Sequence, residues 1–90
     1  MIVSYFGMLR DIAGKKEETW KQPAATVGEL LHEVVAQYGP QFGRWVLDKG
    51  EQLDLTIILV NGRDARGMQG LATPLAPTDT VTIFPPVGGG

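Results

Sequence analysis

Two hydrophobic periods alternate along this chain, and the points where one gives way to the other outline the fold. "IVSYF" at residues 2–6 is β-branched and aromatic and reads as a strand. "GMLRDIAGKKEE" reads as a polar, glycine-bearing connection, after which "ETWKQ" around Trp20 pairs back as a second strand that Pro23 closes. From Thr26 the period changes. Val27, Leu30, Leu31, Val34, Val35 and Tyr38 recur at helical spacing, which predicts a helix over Val27–Tyr38 with one apolar stripe. Thr26 as N-cap with Glu29 three residues on is a capping box, and Gly39-Pro40 ends the run. His32 falls off the stripe, between Glu29 and Glu33, which read as solvated.

Residues 39–55 carry little pattern; one short turn there would bring Phe42, Trp45 and Val46 to the core. "LTIILV" is a strong strand, Asn61-Gly62 a hairpin turn whose two positions tolerate positive φ, and residues 63–65 a short return. "GMQGLATPLAPTD" reads as loop, and "TVTIF" at Thr80–Phe84 alternates with a period of two as the last strand. One helix covering one face of a small mixed sheet is an α+β arrangement, with the other face left open. Within "TVTIF" the threonines mark the open side, which puts Val81 and Ile83 under the helix and Phe84 outside. Ser4 does the same for the first strand, placing Val3 and Tyr5 inside and Phe6 on the open face, where Phe6 and Phe84 either form a docking surface or pack under loops. "TIILV" is apolar at every position after its threonine and does not resolve its own faces.

Composition narrows the classes. Ninety residues make one domain, and 43% apolar with 20% charged residues is ordinary globular usage. Eight Lys and Arg against ten Asp and Glu, a formal charge of −2, leave no basic stripe for nucleic acid. With no cysteine there is no disulfide, thiolate nucleophile or Cys-based metal site. The start lacks a signal-peptide pattern, and the longest apolar run, Ile57–Val60, is far too short to span a bilayer. The expectation is a soluble cytoplasmic domain with no membrane partner.

The ending, "FPPVGGG", carries the chemistry. Pro85 has no N–H to continue a central ladder, and Pro86 pushes it towards an extended conformation. The pair stops the sheet and aims the remaining residues away from it. Those four residues can reach roughly 13 Å, and glycines are thin enough to enter a narrow channel in another protein. An α-carboxylate is ionised and unreactive at neutral pH unless something activates it, as ATP-dependent adenylation does.

"PPVGGG" fits the pattern Pro-Pro-Val-x-Gly-Gly, with Gly88 at the variable position. Together with "MIVSYFGMLRDIAGKKEE", "VNGRDARGMQGLATPL" and "TDTVTIFPPV", it resembles MoaD-type sulfur carriers, the small subunit of molybdopterin synthase and its ThiS-like relatives. The resemblance covers nearly the whole chain apart from residues 39–55. It implies a ubiquitin-like β-grasp domain over residues 1–86 and a flexible tail over 87–90. It also implies a non-enzymatic carrier with no resident cofactor. An activating enzyme of the ubiquitin-activating, MoeB-like type would use ATP to adenylate Gly90. A persulfide donor would then turn the acyl-adenylate into a thiocarboxylate, and the sulfur would pass to a substrate inside a molybdopterin synthase large subunit or another sulfur-accepting enzyme. Gly88 and Gly89 would thread the channel, while Phe6, Phe84, Pro85, Pro86 and Val87 would dock the partner. Carriers with the same tail serve cysteine, tRNA, thiamine and secondary-metabolite thiolation, and some relatives are conjugated to lysines as protein modifiers.

The remaining residues offer no competing site. His32 stands alone, and Asp11, Glu17, Glu18, Asp54 and Asp64 form no acid–base spacing and read as solvated. Trp20 and Trp45 read as anchors in core or loop. "NGRDARGMQG" lacks the G-K-[ST] of a phosphate loop and the G-x-G-x-x-G of a dinucleotide site.

Overall fold

A computed structural model describes residues 1–86; the expectations placed on Val87, Gly88, Gly89 and Gly90 lie outside the described residues. The chain begins with β1 (Ile2–Tyr5), a short helix α1 (Met8–Ala13) and β2 (Glu17–Thr19). The long helix α2 (Val27–Tyr38) comes next, then α3 (Pro40–Gly43) and a small hairpin of β3 (Leu47–Asp48) and β4 (Glu51–Gln52). The second half holds β5 (Ile57–Val60), β6 (Arg63–Asp64), two 3₁₀ turns and β7 (Thr80–Phe84). The main sheet has five strands in the order β2-β1-β7-β5-β6. Its centre is the parallel pair of β1 and β7, with antiparallel neighbours on both sides.

The predicted α2 boundaries hold. Thr26 has extended backbone angles and its Oγ1 accepts the Glu29 N–H at 3.2 Å; the Gly39 N–H closes the far end on the Val35 carbonyl at 2.7 Å. Val27, Leu30, Leu31 and Val34 point from it onto Val3, Tyr5, Ile58, Val81 and Ile83 of the sheet, and all nine are fully buried. At about 1.5–3 kcal/mol per fully buried aliphatic or aromatic side chain, this layer is the main driving force of the fold. Asn61 (φ 52°) and Gly62 (φ 85°) form the expected turn between β5 and β6.

Three expectations are corrected. The stretch after β1 is not a plain connection: Leu9 and Ala13 are buried and Ile12 packs against the core, a helical i, i+3, i+4 set ended by Gly14 in the left-handed region. Six residues are too few for that period to stand out between two glycines. Residues 39–55 hold α3 and the β3–β4 hairpin as well as a turn, and Phe42 and Val46 reach the core as expected while Trp45 is only half-buried. Finally, Glu18 and Glu33 are not simply solvated. Glu33 accepts the Trp20 Nε1–H at 2.6 Å. Glu18 Oε2 accepts the hydroxyls of both Tyr5, at 2.5 Å, and Tyr38, tying the sheet edge to the end of α2.

That cluster has a definite electrostatic character. Burial alone would raise the Glu18 carboxyl, but hydrogen bonds from Tyr38 and Tyr5 and the charge of Lys15, 3.6 Å away, outweigh it and hold Glu18 below the usual carboxylate range. Burial first, then hydrogen bonding to Glu18 and its negative charge, push both tyrosine hydroxyls up.

Candidate functional site

The alternation of β7 continues through Phe84, and that of β1 through Phe6, so both rings emerge on the face that α2 does not cover. They stack there with centroids 4.4 Å apart and planes inclined at 25°. The Phe6 N–H donates to the Ile83 carbonyl at 3.2 Å, which extends the β1–β7 pairing one residue past the strand and holds the rings together. Phe6 is 37% exposed and Phe84 half-buried, as the threonine and serine parity predicts. Ile57 lies opposite Phe84 in register and is 38% exposed, and Leu55, two residues earlier, is 68% exposed. The Arg10 guanidinium sits 5.1 Å from the Phe6 centroid while its Nε–H donates to the Tyr5 carbonyl at 3.3 Å. This is a cation–π contact that caps one side of the stack.

Of the five residues expected to dock a partner, the structure therefore brings Phe6 and Phe84 together, and half-buried Pro86 follows them. Pro85 departs from the expectation. It is buried, with its ring against Gly7, so it offers packing surface to its own domain and little to a partner. Val87 lies outside the described residues. Sequence reasoning missed Ile57 and Leu55 because "TIILV" is apolar at every position after Thr56, and Thr56 itself is buried on the side of Ile58 and Val60, so it does not mark the open face. Their register against β7 supplies that information. Arg10 was also missed, since it was read as part of a connection, whereas α1 swings it over the ring.

The result is an aromatic and aliphatic patch surrounding the point where the chain leaves the sheet. Exposed apolar residues grouped in this way make the patch the candidate contact surface. The described residues near it form no catalytic constellation. Among the described residues no group of three or more His, Cys, Asp and Glu side chains could hold a metal ion, and His32 is exposed. A cleft of about 540 Å³ bordered by Met1, Trp20, Pro23, Leu75 and Pro77 lies at the Thr80 end of β7, away from the patch. No described helix is long and apolar enough to cross a membrane.

Comparison with known proteins agrees with this geometry. The model of the ThiS family matches residues 3–90. Small archaeal modifier protein 3 of Haloferax volcanii is 38% identical over 87 residues, 96% of this chain and 94% of that protein. A candidate molybdopterin converting factor subunit 1 from Pyrococcus furiosus is 33% identical, with a TM-score of 0.73 over 96% of this chain and 95% of that one. A chain of the Amycolatopsis orientalis BexX/CysO complex is 29% identical, with a TM-score of 0.82 over 99% of this chain and 98% of that one. The mixed sheet and its one long helix are thus a ubiquitin-like β-grasp. Since the family model covers the core, both aromatic strands and the glycine ending in one continuous match, the chain belongs to the ThiS family of small ubiquitin-like carrier and modifier proteins.

Proposed function

We propose that this protein is a sulfur carrier whose working group is the Gly90 carboxylate. The observation that carries the reading is the continuity of the family match through residue 90 with an apolar patch placed where the chain leaves the sheet. In this reading an adenylating enzyme uses ATP to convert the carboxylate to an acyl-adenylate. The terminal sulfur of a donor persulfide then displaces AMP to give an acyl disulfide, and a thiol attacks the donor's sulfur, forming a disulfide with it and releasing the thiocarboxylate. Phe6, Phe84 and Pro86 hold the partner while Val87, Gly88, Gly89 and Gly90 extend into its site. Molybdopterin synthesis is the first candidate recipient, supported by likeness to the Pyrococcus converting factor subunit. The BexX/CysO complex is a precedent for a protein of this kind held by another chain.

A second reading, conjugation of Gly90 to lysines of target proteins, is favoured by the 38% identity to a modifier protein. The two share the first step and part afterwards. Intact mass after incubation with ATP, the adenylating enzyme of the same genome and a sulfur donor tests the first. One oxygen replaced by sulfur in the C-terminal peptide is the expected result, and an unchanged mass with an enzyme active on another carrier overturns it. Lysine adducts in cells that vanish on deletion of Gly90 would establish the second.

A further inference from the structure

Gly7 adopts φ 57° and ψ −139°, a conformation that residues with a side chain rarely visit. It precedes α1 without supplying a side-chain cap, and α1 is closed at its other end by Gly14. What Gly7 does supply is room. A Cβ built on it would lie 3.0 Å from Pro85 Cγ and 3.6 Å from Cδ, so the buried Pro85 ring occupies the space a side chain would fill. The Phe6 N–H bond to Ile83 and the Phe6–Phe84 stack hold the two segments together immediately before this contact.

We infer that Gly7 is a positioning residue: with Pro85 it forms a seat that fixes the direction in which the chain leaves the sheet, and so where Gly90 arrives in a partner's active site. The inference rests on the carrier reading above. Proline holds its own φ near −65°, and Pro86 restricts Pro85 in turn, so seating one ring orients the pair. A channel that admits the tail extended turns this into a lever of roughly 13 Å, along which a tilt of about 20° displaces the end by about 4 Å. Misplacement by about 1 Å at a reacting centre is enough to cost roughly a hundredfold in rate.

The test compares wild type, Gly7→Ala, Pro85→Ala and Gly7→Ala/Pro85→Ala in AMP-forming turnover by the adenylating enzyme of the same genome, supplied with ATP and a persulfide donor, with folding followed by circular dichroism. Gly7→Ala is expected to lower kcat about tenfold or more with KM changed by less than about threefold, because the Phe6 and Phe84 rings that hold the partner are unchanged. Removing the Pro85 ring should bring kcat to the level of Pro85→Ala alone although the backbone strain at residue 7 stays, which no purely structural role for Gly7 predicts. A folded Gly7→Ala protein with wild-type kcat, or a folded double variant well below Pro85→Ala, overturns the seat. If Gly7→Ala does not fold, Pro85→Ala alone decides: a lower kcat at unchanged KM supports the seat, and wild-type kcat overturns it. No turnover of the wild type overturns the carrier reading itself and the seat with it, an outcome distinct from normal wild-type turnover with an indifferent Gly7→Ala.

Discussion

The two faces of the sheet are built from the same strands and have opposite fates. On β7, Val81 and Ile83 point inward and are fully buried, while Thr80, Thr82 and Phe84 point outward and stay half-exposed. β5 repeats the division, with Ile58 inside and Ile57 outside. The inner face is closed by α2 and locked at its edge by Glu18 between two tyrosines. On the outer face Phe6, Ile57 and Leu55 stay exposed, Phe6 beneath the Arg10 guanidinium and beside Phe84. The same hydrophobic effect acts on both sides. Inside, its stabilisation is gained when the chain folds; outside, the apolar area stays in contact with water. Apolar residues of equal size therefore answer to different measurements.

The sharpest way to break this comparison is to truncate the inner side. Phe42 is fully buried, with ring centroids 5.6 Å from Tyr5 and 5.7 Å from Tyr38. Phe42→Ala should cost about 3–5 kcal/mol in denaturant unfolding, a large part of the roughly 5–15 kcal/mol typical of a domain. A loss below about 1 kcal/mol would show that the inner layer does not hold the fold together.

An intermediate effect belongs to the edge lock and shows as pH dependence. Glu18 is held low in the folded state, so its contribution is present above the ordinary glutamate range near 4.3 and is lost as pH falls through its lowered folded value. Tyr5 and Tyr38 are held high, so theirs is present below about 10 and is lost as pH rises beyond it. Stability should therefore form a plateau between these limits. Glu18→Gln should lower the plateau by about 1–3 kcal/mol and flatten the Glu18 contribution to its acid slope. Thermal unfolding across pH with an unchanged acid limb in Glu18→Gln would remove Glu18 from the lock.

The smallest effect on stability, and the largest on association, is expected outside. Phe84→Glu loses a stacking partner worth about 0.5–1.5 kcal/mol to the fold, yet should weaken binding to the adenylating enzyme at least about tenfold. Calorimetric titration beside a melting curve separates the two. A collapsed melting temperature with normal affinity per folded molecule would place Phe84 in the core.

Much of this organisation was legible beforehand. The α2 boundaries come from Thr26, the apolar stripe and Gly39-Pro40, all local signals. The open-face assignment of Phe6 and Phe84 comes from alternation against serine and threonine, because the pleat repeats every two residues. Legibility failed where those signals were short or absent. α1 spans under two turns, and β3 and β4 have two residues each, stabilised by contacts that no local window contains. Arg66 bonding the carbonyls of Leu53 and Thr56, and Thr56 Oγ1 bonding that of Trp45 at 2.5 Å, tie that region to distant chain.

The sequence by itself determined the class of the protein: a small α+β fold without thiols, with one long helix over a sheet. Those properties depend on composition, period and covalent structure, which are local to the chain. Tertiary structure alone decided which outward residues meet. The register of β5 against β7 brings Ile57 to Phe84, α1 carries Arg10 over Phe6, and the absence of a Cβ at Gly7 lets Pro85 sink into the domain. Each joins positions far apart in sequence, and the energy that selects it comes from packing against partners that appear only once the whole sheet has formed.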